Sequence, residues 1–267
     1  MFYDKESDFE DDLVAVLKRH GWTDGVLEYP TEQDLIDNWA SILFDNNKGI
    51  DRLNGQRLTK GEMAQILEQI ETLRTPLALN SFINGKTVSI KRDNPRDEAH
   101  YGKEISLKIY DRQEIAAGQS RYQIARQPIY PAKNKMLNDR RGDVCLLING
   151  MPVIHIELKK SGIPISQATN QIAKYAHEGV FTGLFRLVQV FVAMNPDDAV
   201  YFANPGEGDF NDDYFFHWAD YNNEPTAANK HVGQDEWKRF ASDLLSIPMA
   251  HQLIGFYTVA DSADGCL

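Results

Sequence analysis

The stretch Val144–Lys159 constrains the fold more than any other part of this chain. Val144-Cys145-Leu146-Leu147-Ile148 is an unbroken apolar run, and it ends at Asn149-Gly150, the dipeptide that most strongly signals a tight hairpin. Val153-Ile154-His155-Ile156-Glu157-Leu158-Lys159 follows as a second run. Together they predict an antiparallel hairpin set inside a core. Gly162 and Pro164 then break the chain, and Ser166 is placed to cap a helix running to about Glu178. Leu187–Ala193 reads as a buried strand and Ala199–Ala203 as another. Hairpin, helix and strand in that order predict an α/β fold, with a mixed central β-sheet flanked by helices.

Upstream of the hairpin the pattern changes. Phe9, Leu13, Val16 and Leu17 recur at helical spacing and Gly21 ends the run. Ser7 and Glu10 fit a capping box at its start. Glu10 also lies within about 60° of the centre of the apolar stripe, so it reads either as a capping partner or as a carboxylate at the rim of the buried face. Residues 31–80 read as a helical region, with helices over Asp34–Phe44 and Lys60–Leu73, Thr59 capping the second and Pro76 closing the region. Strands are expected at Thr87–Arg92, Glu104–Tyr110 and Arg121–Tyr130, the last interrupted by Pro128, with a polar basic loop after Tyr130. No internal repeat and no low-complexity segment is visible.

Composition narrows the function classes. No apolar stretch approaches the roughly 18 residues a membrane span needs, and the start carries no secretory signal. The two cysteines, Cys145 and Cys266, exclude a disulfide scaffold and a cysteine zinc cluster. A soluble cytoplasmic protein is expected. The net charge of −11 argues against nucleic acid, but from Gln119 to Lys174 nine basic residues face three acidic ones. Pro205–Pro225, by contrast, holds six acids and neither Lys nor Arg. A polyanion feels the local field at contact range, because salt screens charges beyond roughly 10 Å, so the basic run permits DNA contact without requiring it.

The chemistry concentrates at the ends of the hairpin. Alternation puts Val153, His155, Glu157 and Lys159 on one face of the second strand and Ile154, Ile156 and Leu158 on the other. Asp143 begins the first strand. A three-residue loop sets Asp143 opposite Glu157; a two-residue loop sets it opposite Ile156 unless a bulge corrects the register. Two apposed carboxylates suit Mg²⁺, which lowers the pKa of bound water and stabilises charge on a phosphodiester. Lys159, expected at an exposed strand end, is placed to orient that water or neutralise the phosphate. The plainer alternative is a half-exposed strand of alternating charges. Gln171 and Tyr175 share a face of the following helix beside Lys174, as support for the site or as an ordinary exposed face. Asn84-Gly85-Lys86-Thr87 lacks the second glycine of a P-loop, and no hydrolase elbow or dinucleotide fingerprint occurs. His155, deeper in the strand, reads as a hydrogen-bonded wall residue.

GDVCLLINGMPVIHIELKKSG, then ATNQIAKY, then VQVFVAMNPDDAVYFANP, in that order, resemble the amino-terminal nuclease domain of the restriction (R) subunit of type I restriction enzymes. That family belongs to the PD-(D/E)xK nucleases with the RecB-like Gln-x-x-x-Tyr addition. The resemblance is strong over roughly 140–205, weaker at both ends, and slight over 31–130. It implies a restriction-endonuclease-like core over 1–22 and 85–205 with a helical insertion at about 31–80, the endonuclease domain covering 1–260 and a linker to a motor region starting at 261–267. It implies Asp143 and Glu157 as metal ligands joined by Glu10, Lys159 as the catalytic lysine, and Gln171, Tyr175, Lys160 and Lys174 as supporting or DNA-binding residues. Gly142 stands where the motif has proline. The expected cofactor is Mg²⁺, with Mn²⁺ as substitute and ATP used only by motor domains this chain lacks. Expected partners are double-stranded DNA and the methyltransferase (M) and specificity (S) subunits. A non-catalytic assembly module of the same complex and a free-standing repair-type nuclease are the alternatives.

Overall fold

The Asn149-Gly150 turn adopts positive φ at both residues, +51° and +84°, as a two-residue type I′ turn requires. The computed structural model describes residues 1–48, 52–85, 87–109, 120–132, 138–220, 222–226 and 235–256. In it, strand β7 (Val144–Ile148) pairs antiparallel with β8 (Met151–Leu158). Ile148 faces Met151 and Leu147 faces Pro152, but the next pair is Leu146 with Ile154, so Val153 is the extra residue of a β-bulge. Beyond the bulge Cys145 faces His155 and Val144 faces Ile156. The loop therefore has two residues, and the bulge restores the register that carries Asp143 toward Glu157.

The hairpin sits in a six-stranded sheet of order β1-β4-β7-β8-β9-β10, with β1 at Val26–Glu28, β4 at Tyr122–Arg126, β9 at Val190–Met194 and β10 at Ala199–Ala203. The sheet is mixed: β1 with β4 and β8 with β9 run parallel, the other neighbours antiparallel. The parallel β8–β9 step needs a crossover, supplied by helix α5 (Ser166–His177). Every residue of β7, β8 and β9 is buried, which is why these strands read as near-continuous apolar runs. Helix α1 (Glu6–Arg19) packs on β8 and on α6 (Glu236–Asp243), where Phe9 meets Trp237 edge to face at 4.9 Å.

Helices α2 (Glu32–Asn47), α3 (Lys60–Thr72) and α4 (Pro76–Asn84) precede a separate hairpin of β2 (Thr87–Lys91) and β3 (Glu104–Lys108). They bury Leu35, Trp39, Leu43, Ile66, Ile70 and Leu79 in the same hydrophobic cluster as the sheet. Trp39 lies against the hairpin turn, where a Cβ on Gly150 would come within 2.9 Å of its backbone. The last helix, α7, spans Ile247–Gly255. Among the described residues no helix is long and apolar enough to cross a membrane.

Several local expectations are corrected. The N-cap of α1 is Lys5, without a side-chain cap, and Ser7 lies inside the helix. Ile165, not Ser166, caps α5. Pro76 does not close the helical region; it occupies the first turn of α4, where its missing N–H costs nothing, and Thr75 caps that helix. Arg121–Tyr130 divides at Gln127, whose φ is +49°, into β4 and β5 (Ile129–Tyr130). Arg140 and Arg141, expected in a loop, form β6 against β5. Residues 257–267, including the expected linker and Cys266, lie outside the described residues.

Candidate active site

The bulged register brings the two carboxylates to one place. Glu157 stands on β8, 1% exposed. Asp143, half-buried, accepts the backbone N–H of Leu158 on Oδ2 at 2.7 Å, one residue past Glu157. Burial pushes the Glu157 carboxyl up to about 7, against the pull of Lys159. Burial, then the charge of Glu157, raises Asp143 well above the usual carboxylate range. Each shift measures the cost of holding negative charge there without enough cation.

Lys159 is not at an exposed strand end: it is 8% exposed. Its Nζ donates to the Leu158 carbonyl at 2.7 Å and lies 3.4 Å from Glu157 Oε1. Of the α1 acids, Glu6 is the one that reaches this group, its Oε1 3.9 Å from Lys159 Nζ. Its charge adds to the rise of both Asp143 and Glu157, and the sequence pattern did not single it out. Glu10 is placed otherwise. It is 3% exposed, takes the guanidinium of Arg126, and accepts from Gln127 Nε2 at 3.0 Å on Oε2. Gln127 in turn donates its backbone N–H to the Asp143 carbonyl at 2.7 Å, so Glu10 supports the strand entry from behind. Among the described residues no three His, Cys, Asp or Glu side chains converge as a metal cage.

On α5 the expected pair meets. Gln171 Nε2 donates to the Tyr175 hydroxyl at 2.8 Å, and that hydroxyl donates to the Arg141 carbonyl at 3.2 Å. The helix is thereby tied to Arg141, two residues before Asp143. Burial and the charge of Glu157 push Tyr175 up to about 12. Lys160 and Lys174 are exposed. The basic run is thinner than its count: Arg140 is held bidentately by Glu178 at 2.7 and 2.8 Å, Arg126 by Glu10, and Arg121 by Asp45 at 3.2 Å. Lys133 and Lys135 lie outside the described residues.

His155 is the wall residue expected, wholly buried, its Nδ1 2.8 Å from the Tyr130 hydroxyl. Burial lowers it to about 4, so it is neutral. Its Nε2 and Glu157 Oε2 are both buried without a hydrogen-bond partner. A carboxylate pair with one orphaned buried oxygen is a hard-oxygen donor set that fits Mg²⁺.

Comparison with known proteins identifies the family. A family model described as the type I restriction enzyme R protein N terminus matches residues 6–210. The endonuclease subunit of type I restriction enzyme SsaAORF53P from Staphylococcus saprophyticus is 33% identical over 227 residues, which is 84% of this chain and 22% of that protein. The SauCOLORF180P endonuclease subunit of Staphylococcus aureus is 29% identical over 223 residues, again 84% of this chain and 22% of the relative. The EcoprrI endonuclease subunit of Escherichia coli is 30% identical over 218 residues, 75% of this chain and 65% of its own. The chain thus spans about a fifth of the length of the staphylococcal relatives.

Proposed function

This chain belongs to the family of type I restriction enzyme R protein N termini, and from that premise we propose that it is the Mg²⁺-dependent DNA endonuclease domain of such an enzyme. It hydrolyses phosphodiester bonds of double-stranded DNA in the cytoplasm. Sequence specificity and ATP-driven translocation come from other domains or from the methyltransferase and specificity subunits. The observation that carries this reading is the apposition of Asp143 and Glu157 at the end of a buried hairpin, under-neutralised and flanked by Lys159.

Asp143 and Glu157 would hold the cation, with Mn²⁺ able to replace it. When bound, Mg²⁺ polarises the scissile phosphate and lowers the pKa of a water. The chain's own side chains do the rest. The Lys159 ammonium puts positive charge beside both carboxylates, where a phosphodiester gathers negative charge on cleavage. Gln171 and Tyr175 hold α5 to the Arg141 carbonyl and so fix the strand entry that carries Asp143. Lys160 and Lys174 are exposed to receive flanking phosphates.

The test is nicking of supercoiled plasmid by this chain with Mg²⁺, Mn²⁺ or EDTA, beside Asp143→Ala and Lys159→Ala. Metal-dependent nicking that both variants abolish is expected. A Mn²⁺ titration by calorimetry on the same samples separates a nuclease held silent from an assembly module. Binding lost in Asp143→Ala supports the former, and no binding by the wild type overturns the reading.

A further inference from the structure

Strand β8 carries one polar residue that the nuclease reading leaves unused. His155 precedes Glu157 by two residues on the same strand, and its ring is caged by the edges of Tyr130 at 5.9 Å, Phe181 at 5.2 Å and Phe191 at 5.9 Å. Its two nitrogens have different surroundings. Nδ1 bonds the Tyr130 hydroxyl at 2.8 Å, while Nε2 faces Glu157 Oε2 at 3.5 Å. Those last two atoms are buried and neither makes a hydrogen bond as the side chains stand. A carboxylate oxygen has two lone pairs, so Glu157 Oε2 can take a bond from Nε2 and still face a cation.

The tautomer follows from chemistry. A carboxylate that holds a cation is ionised and can only accept. If Nδ1 carried the proton, the Nε2 lone pair would oppose a carboxylate oxygen. If the Tyr130 hydroxyl donates to Nδ1, the proton sits on Nε2, 3.5 Å from Glu157 Oε2, where a small shift on cation binding closes the bond. The Glu157 carboxylate then lies between Nε2–H at one oxygen and the Lys159 ammonium, 3.4 Å from the other.

Gly142 supplies an independent observation. A Cβ at that position would stand 2.8 Å from His155 Cε1, 2.8 Å from a Tyr130 ring carbon and 2.9 Å from the Tyr130 hydroxyl. Its φ is not in the left-handed region, so the space and not the backbone demands glycine. The residue before Asp143 lacks a side chain because the Tyr130–His155 pair fills the place one would take.

We infer that Tyr130 and His155 form a positioning pair for Glu157: Tyr130 fixes the imidazole tautomer, His155 Nε2–H fixes the carboxylate, and Gly142 makes the room both need. The inference rests on the metal-site reading of Glu157. Partners behind a metal ligand are worth about 10–100-fold in metal affinity, and the pair belongs to that class.

The test is Mn²⁺ affinity by calorimetry on variants whose folding is checked by thermal melting. Tyr130→Phe keeps the ring and removes one oxygen; about tenfold weaker binding is expected. His155→Asn reaches only the Nδ1 position and should weaken binding similarly, whereas His155→Gln places an amide N–H where Nε2 stands and should bind within about threefold of wild type. Gly142→Ala should weaken binding, and the double variant Gly142→Ala/His155→Asn should be no weaker than either single one, because both disturb one pair. If the wild type binds and Asp143→Ala does not, yet Tyr130→Phe and His155→Asn bind as wild type, the pair has no positioning role and the metal site stands. If His155→Gln is as weak as His155→Asn, the Nε2–H contact is not what matters and the inference falls. If the wild type itself binds no Mn²⁺, the metal-site reading falls and takes this inference with it.

Discussion

Two clusters of buried charge among the described residues are built on opposite terms. In the first, Arg92 is wholly buried between Glu62 on α3 and Asp97, with Nη1 2.6 Å from Glu62 Oε2 and Nε 2.8 Å from Asp97 Oδ2. Its remaining donors reach the carbonyls of Leu53, Gln56 and Arg57. Glu62 in turn accepts the backbone N–H of Thr59 and Asp93. Burial alone would raise Asp97, but Arg92 and His100 hold it below the usual range. In the second, Asp143 and Glu157 share one lysine, an oxygen of Glu157 goes unpartnered, and both carboxyls are raised. A saturated cluster has nothing left to bind and serves the fold by clamping the β2–β3 hairpin to α3. An unsaturated one costs stability and keeps capacity for a cation. Burial of charge alone does not single out a candidate site; incomplete compensation is the feature that separates the second cluster from the first.

The largest effect should come from breaking the saturated cluster. Arg92→Met removes the cation that Glu62 and Asp97 share, and stranding buried charge in this way costs about 3–5 kcal/mol. A fall of roughly 10 °C in melting temperature is expected for a domain of this size, measured by calorimetry. A variant that melts with the wild type would mean the clamp is ornamental and the contrast false.

The second effect should have the opposite sign. Glu157→Gln removes one of two mutually repelling buried carboxylates. The raised pKa fixes the pH window: the folded state prefers the protonated form, so this carboxyl's favourable contribution is complete below the ordinary value of 4.5 and is lost as pH rises through about 7. In EDTA, the unfolding free energy of the variant minus that of wild type should be smallest near pH 4.5 and should grow up to about pH 8, reaching the order of 2–3 kcal/mol. Mn²⁺ should close the gap by stabilising the wild type alone. Glu62→Gln should destabilise over the same range. A gap independent of pH would place the cost of Glu157 in packing and not in charge.

The same contrast explains what could be read from the sequence. The hairpin was legible because Asn149-Gly150 fixes a turn type, and Asp143, Glu157 and Lys159 follow from its two arms. The bulge at Val153 was not, because β8 is buried on both faces and one extra apolar residue leaves no break in alternation. Lys159 looked exposed because a charged residue at a strand end ordinarily is; Tyr3, whose carbonyl accepts the N–H of Ser161, lays the N-terminal segment near it. β5 and β6 are two residues each, too short for any period to register. Glu62–Arg92 and Glu10–Arg126 join residues 30 and 116 apart in the chain, and no local pattern encodes such a distance. Local rules brought the candidate residues together; the partners that decide which carboxylates are satisfied are tertiary.

The smallest expected difference tests that last point at two helix starts. Thr59 caps α3 with a full box: its side chain accepts the Glu62 N–H at 3.1 Å, and Glu62 Oε2 accepts the Thr59 N–H at 2.9 Å. Here the local rule and the saturated cluster reinforce each other, since the same glutamate holds Arg92. Ser7 with Glu10 has an equally good sequence signature, yet α1 begins a residue before Ser7, and Glu10 is taken by Arg126 and Gln127. The tertiary ion pair outcompetes the cap because capping by Ser7 would be worth only about 1 kcal/mol, less than leaving Arg126 and Glu10 apart in a half-dry site. Thr59→Ala should therefore cost about 1–2 kcal/mol in urea denaturation, and Ser7→Ala, inside a helix where alanine is the better former, should fall within about 0.5 kcal/mol of zero. Equal costs at the two positions would mean that Ser7 does cap the helix in solution and that Glu10 is turned toward it, leaving Arg126 to Asp11 and Glu28.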